Sequence, residues 1–129
     1  MKEAFVSKSS SDELRVEVRD VPIPKPGAGQ VTIRVVAASL NPKDWVWASA
    51  EPFNQGDDIA GYIHSVGDKV LDFKPGDRVA AFHEVGAPHG AFAEYSVAFA
   101  HSTFHIPQST SFEGERNHPS LFILVLALR

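Results

Sequence analysis

Apolar and polar residues alternate along Leu14–Val21. Leu14, Val16 and Val18 stand against Arg15, Glu17 and Arg19, the period of two that predicts a half-buried strand. Glu3–Ser7 is a shorter β-prone run, and the polar, serine-rich stretch Lys8–Glu13 between the two predicts a hairpin turn. Gln30–Ala38 is rich in β-branched residues and predicts another strand. Asp58–Val66 follows, interrupted by Gly61, and then Arg78–His83, Ala91–Ala98 and Thr103–Ile106. Pro22, Pro24 and Pro26 hold the chain extended and exclude a central strand there. Gly27–Gly29, "VGDKV" at Val66–Val70 and "KPGDRV" at Lys74–Val79 read as reversals. One stretch breaks the pattern. Asn41 suits a helix N-cap, Pro42 the first helical position and Asp44 the first turn, so one short helix is expected over Pro42–Ser49. Short strands with Pro/Gly turns predict a mainly β fold, a small, partly open β-barrel with one or two short helices.

The pattern changes near residue 112. Phe112–His118 is polar, and an apolar run of eight residues, Leu121–Leu128, precedes Arg129. A membrane-spanning helix needs about 20 residues, so this run is read as no span. The expected division is a domain over 1–112 and a divergent C-terminal tail over 113–129, with the apolar, proline-free tail prone to aggregation. Composition narrows the classes further. A hydrophobic content of 43% with 22% charged residues fits a soluble globular protein. A net charge of −4 without a Lys/Arg cluster argues against nucleic acid or an anionic membrane as partner. No cysteine is present, which removes disulfides, thiolate metal ligands and cysteine nucleophiles, and is compatible with a reducing, cytoplasmic setting. The N-terminus carries no apolar signal core, so no secretion signal is expected.

The residues with chemistry are the adjacent Asp57 and Asp58 and six histidines. Neighbours on a strand point to opposite faces, so the two aspartates are not expected to share a proton or a metal. His101 and His105, four apart on a strand, would stand about 13 Å from each other, too far for one ion. His83 and His89 could meet only across a loop. No zinc site is expected. No Gly-x-Gly-x-x-Gly follows a strand, and "GAPHG" at Gly86–Gly90 opens no helix, so no dinucleotide-binding (Rossmann) fold is expected.

Three blocks, "VAASLNPKDW" (Val36–Trp45), "GDDIAGYIHSVGDKVLDFKPGDRVAAF" (Gly56–Phe82) and "GAFAEYSVA" (Gly90–Ala98), resemble the medium-chain dehydrogenase/reductase superfamily. The resemblance covers residues 1 to about 112. It implies a GroES-like, alcohol dehydrogenase-like N-terminal domain, closest to zinc-free quinone reductases and fungal trans-enoyl reductases. It further implies NADPH as hydride donor to an activated C=C bond of a small-molecule substrate. By resemblance Asn41, Pro42, Lys43, Asp44 and Trp45 face the nicotinamide. Asn41 is the one catalytic candidate, competing with its N-cap role. Asp44 is read chiefly as a structural carboxylate, and Trp45 and Trp47 either pack in the core or line an apolar pocket. Gly56, Asp58, Ala60 and Gly61 match a Gly-x-Asp-x-Ala-Gly pattern, in which Asp58 either shapes the cleft behind Asn41 or accepts backbone hydrogen bonds in a loop. Zinc-dependent relatives carry His-Glu where Asp57-Asp58 stands, which reinforces the metal-free expectation. Some quinone reductases place a tyrosine soon after the aspartate matching Asp44. Trp45, Val46 and Trp47 stand there instead, while Tyr62 and Tyr95 read as barrel residues. The nucleotide-binding half expected by resemblance does not follow residue 112. The chain is therefore expected to be truncated, inactive alone and able to self-associate through an exposed interdomain face. The alternative is a non-enzymatic binding or interaction module.

Overall fold

The turn at Ser9–Glu13 folds β1 (Lys2–Lys8) back on β2 (Leu14–Asp20), with Val6 opposite Val16. In this computed structural model the described residues are 1–112; the tail over 113–129, including Leu121–Leu128, lies outside them. β3 (Gln30–Ala38), the four-residue helix α1 (Lys43–Val46), the two-residue β4 (Phe53–Asn54), β5 (Asp58–Val66), β6 (Arg78–Phe82), β7 (Tyr95–Phe99) and β8 (Thr103–His105) follow. The strands form two antiparallel sheets, ordered β2-β1-β4 and β7-β3-β5-β6-β8.

The mainly β, barrel-like fold is as the pattern predicts, and its curvature has a simple origin. β7 and β8 occupy opposite ends of the five-strand order, yet only a 3-10 turn, Ala100–Ser102, separates them in sequence. The sheet must curl until its edges approach. Side chains fasten the closure: His83 Nδ1 lies 2.6 Å from the Val97 carbonyl and Ser102 Oγ donates to Phe82 O at 2.8 Å. Val31, Ile33, Ile59, Ile63, Val79 and Ala81 fill the inside. The outer face carries Ala37, Ala60 and Ala80, small enough for Phe112 to lie on them. Phe112 meets Tyr62 edge-on at 4.9 Å, with the Arg78 guanidinium 4.1 Å over its ring.

Gly61 shows why glycine is required inside a strand. β3 shifts register against β5 between Val35 and Ala37, which presses the Arg34 carbonyl onto Gly61, where any Cβ would collide with it. Of the two turn glycines Gly67 and Gly76, Gly76 adopts a positive φ (91°), whereas Gly67 makes room for the Gly27 carbonyl.

Three expectations need correction. β2 is not half-buried: Leu14, Val16 and Val18 are 49%, 67% and 62% exposed, because β2 is an edge strand paired only with β1. The strand expected from Ala91 begins at Tyr95. Residues 92–94 instead bind β1 through Ala4 N–H to Phe92 O (2.8 Å) and Glu94 N–H to Lys2 O (3.0 Å). The helix is only Lys43–Val46, because Ser49 turns its carbonyl to the Lys8 N–H at 2.7 Å and draws the chain away.

Candidate functional site

The β3–β5 register pairs Ala38 with Ile59, so the next residues along, Ser39 and Asp58, meet at the mouth of the sheet. Ser39 is fully buried and its Oγ donates to Asp58 Oδ2 at 2.5 Å. Asn41 Nδ2 donates to the same oxygen at 2.8 Å and lies 3.4 Å from Ser39 Oγ. One carboxylate oxygen thus gathers the two side chains that begin the Ser39–Trp47 segment. Bonds of this kind to an ionised acceptor are stronger than neutral ones.

Contrary to the expected N-cap role, Asn41 does not cap α1 with its side chain; its amide is committed to Asp58. The cap is made from the other direction. Asp44 Oδ2 accepts the Asn41 backbone N–H at 2.8 Å, and Asn41 O accepts the Asp44 N–H at 2.9 Å. Asp44 is 3% exposed and Asp57 4%. Lys43 Nζ lies 3.3 Å from Asp44 Oδ1 and forms an ion pair with Asp57. Burial pulls the Lys43 ammonium toward deprotonation, but the hydrogen bond and attraction of Asp57, joined by those of Asp44, outweigh it and its pKa is raised.

The adjacent aspartates diverge, then, one to Lys43 and one to Ser39 and Asn41. Both hold the same segment in place. Asp58 opens β5 and bonds side chains of that segment, rather than a loop backbone. Trp45 and Trp47 do not pack in the core: they are 42% and 64% exposed, with Val46 between them at 58%. Pro42 is also exposed, and Asn41 and Lys43 are partly exposed. The result is a run of exposed apolar side chains on a segment rooted in buried polar contacts.

The described histidines do not converge. His83 sits between the Val97 and Ala87 carbonyls, and His89 Nδ1 lies 3.4 Å from Glu3 Oε2. His101 stacks on Phe99, and His105 Nε2 reaches Asp72 O at 3.2 Å. Among the described residues no group of three or more His, Asp or Glu is placed to hold a metal ion. No described helix is long and apolar enough to cross a membrane.

Sequence reasoning missed Ser39 and the Lys43–Asp57 pair. No local spacing signals either, since both contacts join residues far apart in the chain that the β3–β5 pairing brings to one end of the sheet.

Residues 27–108 match the family described as Alcohol dehydrogenase GroES-like domain. A trans-enoyl reductase of Gibberella fujikuroi is 49% identical over 117 residues, which are 88% of this chain and 33% of that protein. A quinone oxidoreductase of Rattus norvegicus is 38% identical over 100 residues, 72% of this chain and 30% of that protein. Among solved structures, the Pseudomonas syringae quinone oxidoreductase superposes with TM-score 0.71 at 30% identity, covering 88% of this chain and 36% of that one. A mycobacterial protein complexed with NADPH gives 0.73 at 27% identity, covering 88% and 36%. The chain spans about a third of the length of the curated relatives it matches. Motif blocks, strand order and relatives converge: this chain belongs to the alcohol dehydrogenase GroES-like domain family, within the medium-chain dehydrogenase/reductase superfamily of enoyl reductases and quinone oxidoreductases.

Proposed function

We propose that this chain forms the substrate-side wall of a zinc-independent, NADPH-dependent reductase that delivers hydride to an activated C=C bond or a quinone, in a cytoplasmic setting. The observation that carries this reading is the run of exposed apolar side chains Trp45, Val46 and Trp47 on a segment anchored by Asp58, Asp44 and Asp57. Exposed indoles on a surface fixed from below suit a flat, conjugated substrate or a nicotinamide ring.

The residues fit such a cofactor unevenly. Pro42 and Trp45 are exposed and Asn41 and Lys43 partly so, and these are the groups proposed to contact it. Asp44 is buried with both carboxylate oxygens engaged, so it acts as a positioning residue. When bound, the nicotinamide supplies the hydride. This chain's part is to orient the acceptor against these side chains and to shield it from water. The Asn41 amide donates to Asp58 Oδ2 at 2.8 Å and only at a long 3.4 Å to Ser39 Oγ, and that longer contact is the one a substrate or cofactor oxygen is proposed to replace. No tyrosine adjoins Trp45–Trp47 in sequence, and protonation of the product is assigned to solvent.

The half that holds the nucleotide in such enzymes is a parallel α/β fold, whereas the described strands here are all antiparallel. The isolated 129-residue chain is accordingly proposed to be inactive. The test is a chimera in which this chain replaces the matching N-terminal third of the 49%-identical trans-enoyl reductase. NADPH oxidation with an enoyl or quinone acceptor is expected, with kcat/KM lowered about tenfold or more by Asn41→Ala. A folded chimera that binds NADPH but reduces neither acceptor would overturn the proposal. NADPH oxidation with an enoyl or quinone acceptor by the isolated chain would refute its inactivity, and saturable NADPH binding by it would refute its dependence on a second half for the cofactor.

A further inference from the structure

β2 carries an exposed apolar stripe, Leu14, Val16 and Val18, along a sheet edge that no described strand covers. It has no proline, no lysine and no register shift against β1 over Leu14–Asp20, and its charges, Arg15, Glu17, Arg19 and Asp20, are of both signs and so can pair across a second copy. The hydrogen-bond pattern fixes which backbone groups are free. Met1 and Val21 exchange bonds, the Met1 ammonium to Val21 O at 2.7 Å and the Val21 N–H to Met1 O at 2.9 Å, and Ser9 N–H donates to Glu13 O at 2.9 Å. Alternation between these ends turns the N–H and C=O of Arg15, Glu17 and Arg19 toward β1. The backbone groups of Leu14, Val16 and Val18 face the open edge.

We infer that β2 is a self-pairing edge, whose partner is β2 of a second copy in antiparallel register about Val16. Only even-numbered residues offer backbone groups outward, so a two-fold register must place an even residue opposite an even one. Centring on Glu17 sets Glu17 against Glu17 and Arg15 against Arg19, and centring on Arg15 sets Arg15 against Arg15 and Glu13 against Glu17. Both oppose like charges. Centring on Val18 sets Val16 against Asp20. Centring on Val16 sets Leu14 against Val18, Val16 against Val16 and Arg15 against Glu17, with Arg19 opposite Glu13. That register makes about six backbone hydrogen bonds, joins the apolar stripes of both copies on one face and pairs opposite charges on the other. Glu17 now bonds Arg19 of its own strand at 2.7 Å in an exposed pair, and such a pair exchanges partners readily.

The test is sedimentation velocity of the full chain from about 1 to about 200 µM. The wild type is expected to dimerise. Arg15→Glu and Glu17→Arg each oppose like charges twice across the two-fold, and each is expected to weaken association about tenfold or more. An equimolar mixture of the two variants restores opposite charges and is expected to associate as the wild type does. That mixture also shows that both variants fold. A wild type that stays monomeric, single variants that associate like the wild type, or a mixture no stronger than its components would overturn the inference.

Discussion

Asn41 and Asp58 stand on different elements, the loop after β3 and the first position of β5, and meet side chain to side chain at 2.8 Å. Ser39 joins them on the same carboxylate oxygen. Asp58→Asn replaces an acceptor for two donors with a neutral amide. Stability is expected to fall by about 1–3 kcal/mol in a urea melt, with a lower midpoint and an unchanged slope. A midpoint equal to the wild type would show that the bonds contribute nothing to folding.

Gly61 leaves no room for a side chain because the Arg34 carbonyl occupies the place of its Cβ. Gly61→Ala forces the β3 bulge to shift, and the expected loss is about 1–3 kcal/mol. Gly29→Ala is the comparator: its Cβ would meet nothing within 4 Å, but its φ of 74° still strains an alanine. Circular dichroism melts of both separate steric from conformational cost, and Gly61→Ala is expected to melt lower.

The Lys43–Asp57 pair gives a pH signature. Folding raises the Lys43 pKa, so its contribution is fully present below the unfolded value, about 10.4. It is lost as pH rises through the folded value. Stability of the wild type is expected to decline above about pH 10 more steeply than that of Lys43→Met. At neutral pH that variant leaves Asp57 and Asp44 without their cation and is expected to lose about 1–3 kcal/mol, the partial exposure of Lys43 moderating the cost. Parallel alkaline limbs for the two proteins would exclude the linkage.

Phe112 covers Ala37, Ala60 and Ala80 and contacts Tyr62 and Arg78. Phe112→Ala uncovers that face, and a loss of about 2–4 kcal/mol is expected by chemical denaturation. Phe112→Leu, which keeps apolar cover but no ring, is expected to recover about half of it.

Much of the barrel is legible in the residues themselves. The β-branched run of β3, the glycine inside β5 and the Lys74–Asp77 turn each encode a local choice that the fold keeps. β2 misleads because alternation reports two unlike faces and does not report what lies against the apolar one. The stretch at 91–94 misleads for a similar reason: its partner, β1, is fixed only once the chain has folded. At the site, the divergence of Asp57 and Asp58 is what strand alternation leads one to expect, although β5 begins only at Asp58. Their partners are not legible in this way, because Ser39, Asn41 and Lys43 reach them through a register that no short window contains. Asn41 reads as a helix cap for want of that register.

β3 is hydrogen-bonded on one side by β5 and on the other by β7, and the curled sheet is finished only when Thr103–His105 lies against β6. A ribosome delivers these parts in order. Until the segment around Phe99 has emerged, β3 has one bare flank and the apolar interior is open to water. Loop closure over such long stretches is slow. The nascent domain is therefore committed to folding late, in a single step near the end of its own synthesis, and an early halt in translation releases an unclosed sheet to the cell's chaperones.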